Sequence, residues 1–202
     1  MSDPTPGSTS WVRSAVLLVP GLAAVAVMAV AMAQGVLAAS IGVSGRSFTI
    51  TADSVRGEQV SGYPSTVTTA DGKTQETLLL GFRTAQLKNL CLTAGATMPV
   101  VGDVAVRLRS GAGGTVDVRD FVAAAEAVGG KQAALDDLEV GVDASVLSRG
   151  VRGATGPRGR FGLQASGLRV DDFGATAKAA TGGSFRLSGI DLSVVRGKGS
   201  CG

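Results

Sequence analysis

The chain has 202 residues, 45% hydrophobic, 17% charged and only 4% aromatic, with a formal net charge of +3 and no histidine. The missing histidine removes Ser-His-Asp and Cys-His catalysis and the commonest zinc ligand together. Its 30 glycines are about twice the usual share of roughly 7%, so the chain turns often and its core must rest on Val, Leu and Ala.

Residues 1–13 read as a short cytoplasmic tail. Residues 14–39 form a run of 26 without a charge, and about 20 apolar residues suffice to cross a hydrocarbon core. Trp11 and Arg13 are placed like an interfacial anchor and a positive cytoplasmic flank, and Pro20 is tolerated in a membrane helix. The expectation is a single-pass transmembrane anchor. The alternative is a signal segment cleaved near Ala33 or Ala39, each behind a small-x-small pattern. Both place residues 40–202 outside the cytoplasm, at the cell membrane or secreted, as one domain with a core of its own.

That region reads as mainly β. Residues 47–52, 104–109, 115–119, 138–143 and 161–165 alternate polar and apolar, residues 77–82 are a short apolar run, and 185–187 continue the period of two. Asp71-Gly72 marks a hairpin turn. The following Lys73-Thr74 completes only the end of a phosphate-binding loop, since Val67 stands where its first glycine would be. Residues 121–128 are Ala-rich, with Asp120 as candidate N-cap and Gly129-Gly130 as a stop, and predict one short helix. The expected fold is a twisted sheet, as a sandwich, a partial barrel or an elongated solenoid-like sheet.

Four segments share one pattern: 86–92, 134–140, 164–170 and 186–192 each read apolar, two polar or small residues, apolar, one variable residue, apolar. A two-residue turn feeding a period-two strand would place all three apolar side chains on one interior. Their central residues Leu90, Leu138, Leu168 and Ile190 are spaced 48, 30 and 22 apart, so no fixed period supports stacked coils.

Cys91 and Cys201 are the two cysteines, and in an oxidising compartment the simplest reading is a disulfide. A Cys201 paired with another chain and a buried Cys91 thiol remain alternatives. Residues 103–143 carry eight acids and four bases, whereas 144–202 carry nine bases and three acids. The basic part contains a stretch with glycine at every third position from Gly150 to Gly162, too short for a collagen helix. It reads as a mobile loop whose Arg149, Arg152, Arg158 and Arg160 form a candidate anionic-ligand site for phosphate or a lipid headgroup.

No Gly-x-Ser-x-Gly occurs, and Asp136-Asp137 and Asp171-Asp172 are adjacent pairs whose members point to opposite faces of a strand. No catalytic residue, metal site or cofactor is therefore expected. Basic residues without interleaved aromatics, on an exported chain, also argue against nucleic acid. The expected function is a non-enzymatic cell-envelope protein whose β domain binds a partner protein or an amphipathic ligand such as lipid. The alternatives are a structural surface protein that self-associates and, less favoured, an esterase-like hydrolase.

The stretch Phe185-Arg186-Leu187-Ser188-Gly189-Ile190-Asp191-Leu192-Ser193, closing on Cys201, together with Leu90-Cys91-Leu92 and the apolar run, resembles an uncharacterised family of actinobacterial membrane-anchored or exported proteins. The resemblance implies an envelope location and a small multi-span membrane protein as partner. Some members carry an automatic label of cholesterol esterase, which the missing histidine contradicts here.

Overall fold

The computed structural model describes residues 46–98, 102–197, 199 and 201. The expected tail and the apolar run 14–39 lie outside the described residues. Ten strands follow in chain order: β1 (Phe48–Thr68), β2 (Thr74–Lys88), β3 (Cys91–Met98), β4 (Gly102–Ser110), β5 (Thr115–Gly129), β6 (Gln132–Asp136), β7 (Glu139–Asp143), β8 (Phe161–Thr181), β9 (Ser184–Leu187) and β10 (Ile190–Arg196). A single 3-10 turn, Ala144–Val146, is the one helical element among the described residues. All pairings belong to one antiparallel sheet.

The elements are longer than the alternating segments of the sequence announce, because several strands follow one another along the same partner. β2 and β3 pair with β1 in one unbroken register, Ser54 opposite Lys88 and Thr51 opposite Cys91. β5, β6 and β7 likewise run along β8. The pairs β1–β2, β2–β5, β5–β8 and β8–β1 close a ring. It is not a clean barrel, because β3, β4 and β10 continue past the ring as a flap.

Two creases bend this sheet. Gln59 lies opposite Arg83 on one side and Ser166 on the other; Arg83 in turn faces Asp120, and Ser166 faces Asp137. A second row aligns Asn89, Asp53, Asp172 and Lys131. On alternate strands the crease residue has left-handed backbone: φ is 51° at Gln59, 50° at Asn89, 49° at Asp120, 48° at Asp137 and 48° at Asp172. Asn and Asp tolerate that region best among residues with a side chain. Where a strand crosses a crease, inward positions are spaced by three instead of two: Leu87 to Leu90, Val118 to Phe121, Phe82 to Ala85. Alternation thus slips by one, and the apolar face stays inside on both sides of the bend.

The repeated pattern of the sequence has this cause. Asn89, Asp137 and Gly189 (φ 85°) occupy the same place in three of its four copies; Asn89 and Asp137 turn a strand without shifting its register along β1 and β8, whereas Gly189 lies where the chain passes from β9, paired with β5, to β10, paired with β4. All three apolar residues face one side, as the spacing predicts, but in creased strands of one sheet rather than in stacked coils.

The helix predicted over 121–128 is corrected: the segment is the second half of β5. It is held on both edges, by β2 through Phe82 opposite Phe121 and by β8 through Ala124 opposite Ala179. Ala123, Ala124 and Ala125 are buried there. Backbone pairing on two sides overrides an alanine helix preference worth only tenths of a kcal/mol per residue. Asp120 is a crease residue, not a helix cap. The Asp71-Gly72 hairpin forms as read, joining β1 to β2 with Gly72 at φ 79°.

Candidate functional site: an apolar cavity

Inside the curled sheet lies a cavity of about 350 Å³. Every residue lining it is Phe, Leu, Ile, Val or Ala. The space follows from side-chain size: Ala85, Ala123, Ala125, Ala175, Ala177 and Ala180 stand at inward positions where larger residues would fill a core of this depth. Phenylalanines border it. Phe82 and Phe121 have ring centroids 6.3 Å apart, and Phe121 meets Phe185 edge-on at 6.0 Å. Phe185 is 48% exposed while lining the cavity, so it stands where the interior meets solvent.

Phe48 and Ile50, at the start of β1, also line the cavity. Just before β1, the Ser47 hydroxyl donates to Glu126 Oε2 of β5 at 2.6 Å, and Lys178 of β8 places its Nζ 3.2 Å from Glu126 Oε1. Glu126 is aimed at this place by register shifts on either side of Ala125 in the β5–β8 pairing. The Ser47 hydroxyl, more than Lys178, holds the Glu126 carboxyl below the usual carboxylate range, against a smaller effect of burial.

Cys91 and Cys201 are joined in a disulfide, with Cα atoms 5.9 Å apart. Cys91 is buried, opposite Arg109 on β4, and Arg109 faces Asp191 on β10. These residues share one face of the flap. A Cβ at Gly199 would meet Ala105 and Val195, so the C-terminal tail crosses this same face on its way to Cys91. Leu92, Leu108 and Leu192 point to the other side.

The basic loop is packed onto the sheet. Gly150, at φ 87°, lies so close to Ser61 that a Cβ would fall 2.0 Å from its Oγ. Gly156 abuts the Tyr63 ring, and the Tyr63 hydroxyl donates to Thr155 O at 3.1 Å. Burial pushes the Tyr63 hydroxyl above its ordinary pKa. Asp143 Oδ1 accepts from the Ser145 amide and hydroxyl, and Oδ2 accepts from the Gly159 amide. Of the four candidate arginines, Arg149 is engaged, with Nη2 3.4 Å from Glu139 Oε1 and Nη1 donating to Asp137 O. Arg152, Arg158 and Arg160 are exposed. Arg160 borders a groove with Glu76 and Glu126, and Arg158 stands near enough to Asp143 to stabilise its charge. None of the four arginines lines the apolar cavity.

The sequence places the apolar residues of the four repeated segments on one interior without marking that interior as hollow. The signal was present in the crease pattern, which recurs at Gln59, Asp120 and Asp172 outside the segments first aligned. Among the described residues no group of three or more Cys, Asp or Glu is placed to hold a metal ion, and no helix is long and apolar enough to cross a membrane.

A creased antiparallel β domain enclosing a wholly apolar cavity is the class of protein these features define. The chain belongs to a family of unknown function, DUF6230, matched over residues 44–202. No curated protein matches it, and no solved structure does.

Proposed function

We propose that residues 40–202 form a non-enzymatic, extracytoplasmic domain of the cell envelope that binds an amphipathic lipid by its hydrocarbon part. One observation carries this reading: the cavity of about 350 Å³ has no polar side chain in its lining. Its size lies within the range of about 300–1,000 Å³ typical of small-molecule sites. If sealed and empty it would cost on the order of 8 kcal/mol at about 24 cal/mol per Å³, comparable with the whole stability of a domain, about 5–15 kcal/mol. A hydrocarbon chain would restore the missing contacts, whereas water would find no hydrogen-bond partner among the lining side chains.

A protein partner is the other form of this reading. Self-association through a sheet edge has β10 in its favour, which pairs on one side only, but Asp191 and Arg196 interrupt that edge as natural sheets do to discourage stacking. Hydrolysis lacks a general base of the usual kind, there being no histidine.

Native mass spectrometry on residues 40–202, exported by an actinobacterial or related host with the disulfide formed, tests the proposal. Added mass that leaves as a lipid supports it. Bare protein, after incubation with fatty acids and phospholipids as well as from the host, sinks it.

A further inference from the structure

The apolar face of the cavity does not stop at its mouth. Cross-strand partners share a face, and the row Ala175, Ile50, Leu92, Leu108, Leu192 runs from β8 through β1, β3 and β4 to β10. A parallel row, Ala177, Phe48, Ala94, Val106, Val194, lies beside it. The first three members of each row line the cavity. The last are open to solvent: Leu192 is 66% exposed and Val194 74%. Ile190, on the same face of β10, is 65% exposed. At Gly189 the alternation slips as it does at the creases, so Phe185 and Leu187 on β9 continue this face back to the cavity mouth. The tail and its disulfide cover the opposite face.

Three observations bear on what covers the open face. The chain reaches the cavity at Phe48, and only residues 40–47 separate the uncharged run 14–39 from it; eight residues span at most about 30 Å when extended. Arg196 shares the face of Val194, two positions on, and exposed Arg46 precedes Phe48. Cations at the border of an apolar surface suit anionic headgroups, with their stems lying along the hydrocarbon. A second copy fits less well: antiparallel pairing of two β10 strands about Ser193 would set Arg196 against Ile190 and Asp191 against Val195.

We propose that the face of β4 and β10 bearing Val106, Leu108, Ile190, Leu192 and Val194 lies on the lipid bilayer that holds residues 14–39, and that a hydrocarbon chain passes along it into the cavity. The second half of the proposal rests on the lipid-binding reading; the first stands on the exposed rows and the short tether.

The test uses the full chain reconstituted in vesicles of phosphatidylcholine and phosphatidylglycerol. Trp11→Phe removes the single native tryptophan. In that background Leu192→Trp reports on the apolar face, and Asp191→Trp reports on the other face of the same strand. Lipids brominated in their acyl chains should abolish most Leu192→Trp emission and leave Asp191→Trp bright. Equal quenching at the two sites overturns bilayer contact. Absent quenching together with a dimer that Leu192→Asp dissolves also overturns it, and assigns the face to a second copy. Passage is read from transfer of a pyrene-labelled fatty acid out of vesicles. Leu192→Ser with Val194→Ser should slow uptake without lowering the amount finally bound, and an unchanged rate overturns the passage. If no variant takes up pyrene fatty acid while the quenching contrast persists, the cavity reading fails and bilayer contact stands.

Discussion

Gln59 is the crease residue least suited to its backbone. A left-handed conformation costs an L-residue about 1–2 kcal/mol, and Gln59 (φ 51°) lacks the short Asn or Asp side chain that its counterparts Asn89, Asp120, Asp137 and Asp172 use there. Replacement by Gly relieves that strain and loses about 0.5–1 kcal/mol to greater unfolded-state freedom, so Gln59→Gly should leave stability within about 1 kcal/mol of the parent. Gln59→Val should lower it by about 1–2 kcal/mol relative to Gly. Urea titration of the two variants decides this, and equal midpoints would mean that the crease imposes no backbone demand. Asp143 is a second residue with a consequence that can be measured. The Ser145 amide, then the Gly159 amide and the Ser145 hydroxyl, with a smaller contribution from Arg158, depress its pKa. A depressed folded value stabilises at pH above the unfolded one, about 3.9, and the benefit disappears as pH falls through the folded value. The loop over 144–160 should therefore loosen only on acidification below about pH 4, and Asp143→Asn should loosen it already at neutral pH. Hydrogen exchange at the Gly159 amide reads both effects. Protection unchanged in the variant would show that Asp143 does not hold the loop.

Among the elements, the flap of β3, β4 and β10 depends most on a covalent tie. Cys91 and Cys201 are 110 positions apart, and closing a loop of that size contributes about 4–5 kcal/mol in the chain-entropy model. Cys91→Ser with Cys201→Ser should remove a large part of the domain's stability, by about that amount in denaturant titration. A loss below about 1 kcal/mol would mean that the tail is held by its other contacts, such as the Gly197 amide on Asp103 O. The elements also show where local reading stops. Residues 115–119 announce a strand by alternation, but 121–128 announce a helix, because three consecutive alanines carry no periodicity and helix preference is then the only local signal. What makes the segment a strand is its pairing with Leu78 to Phe82 on one side and Ala175 to Thr181 on the other. Neither partner is near it in sequence.

For the whole molecule, the decisive feature is that a sheet creased twice curls until β8 meets β1, and the space enclosed is larger than its alanines fill. Ala175 is buried, lines the cavity and pairs with Ile50. Ala175→Phe should place a ring in the space at little cost to folding, because overpacking strain of about 1–3 kcal/mol is offset where a void already exists. The variant should melt at or above the parent temperature and carry no lipid in native mass spectrometry. If it binds lipid like the parent, the ligand lies elsewhere; if it fails to fold, the space is smaller than the structure indicates.

Composition and local pattern alone determined the β class, the Asp71-Gly72 hairpin, the three-then-two spacing that keeps apolar residues on one side, and two cysteines able to pair. Each depends on residues close in the chain, or on side-chain chemistry that needs no geometry. Tertiary structure alone decided that the spacing marks creases in a single sheet, that the Ala-rich segment is a strand, and that Arg149 is engaged by Glu139. It also decided that the apolar face is hollow at Ala85, Ala123 and Ala175 and open at Leu192 and Val194. The physical reason is common to all of these: which face is enclosed and which edge is left unpaired depend on cross-strand register, and register joins residues as far apart as Phe48 and Ala177, on which no local propensity acts.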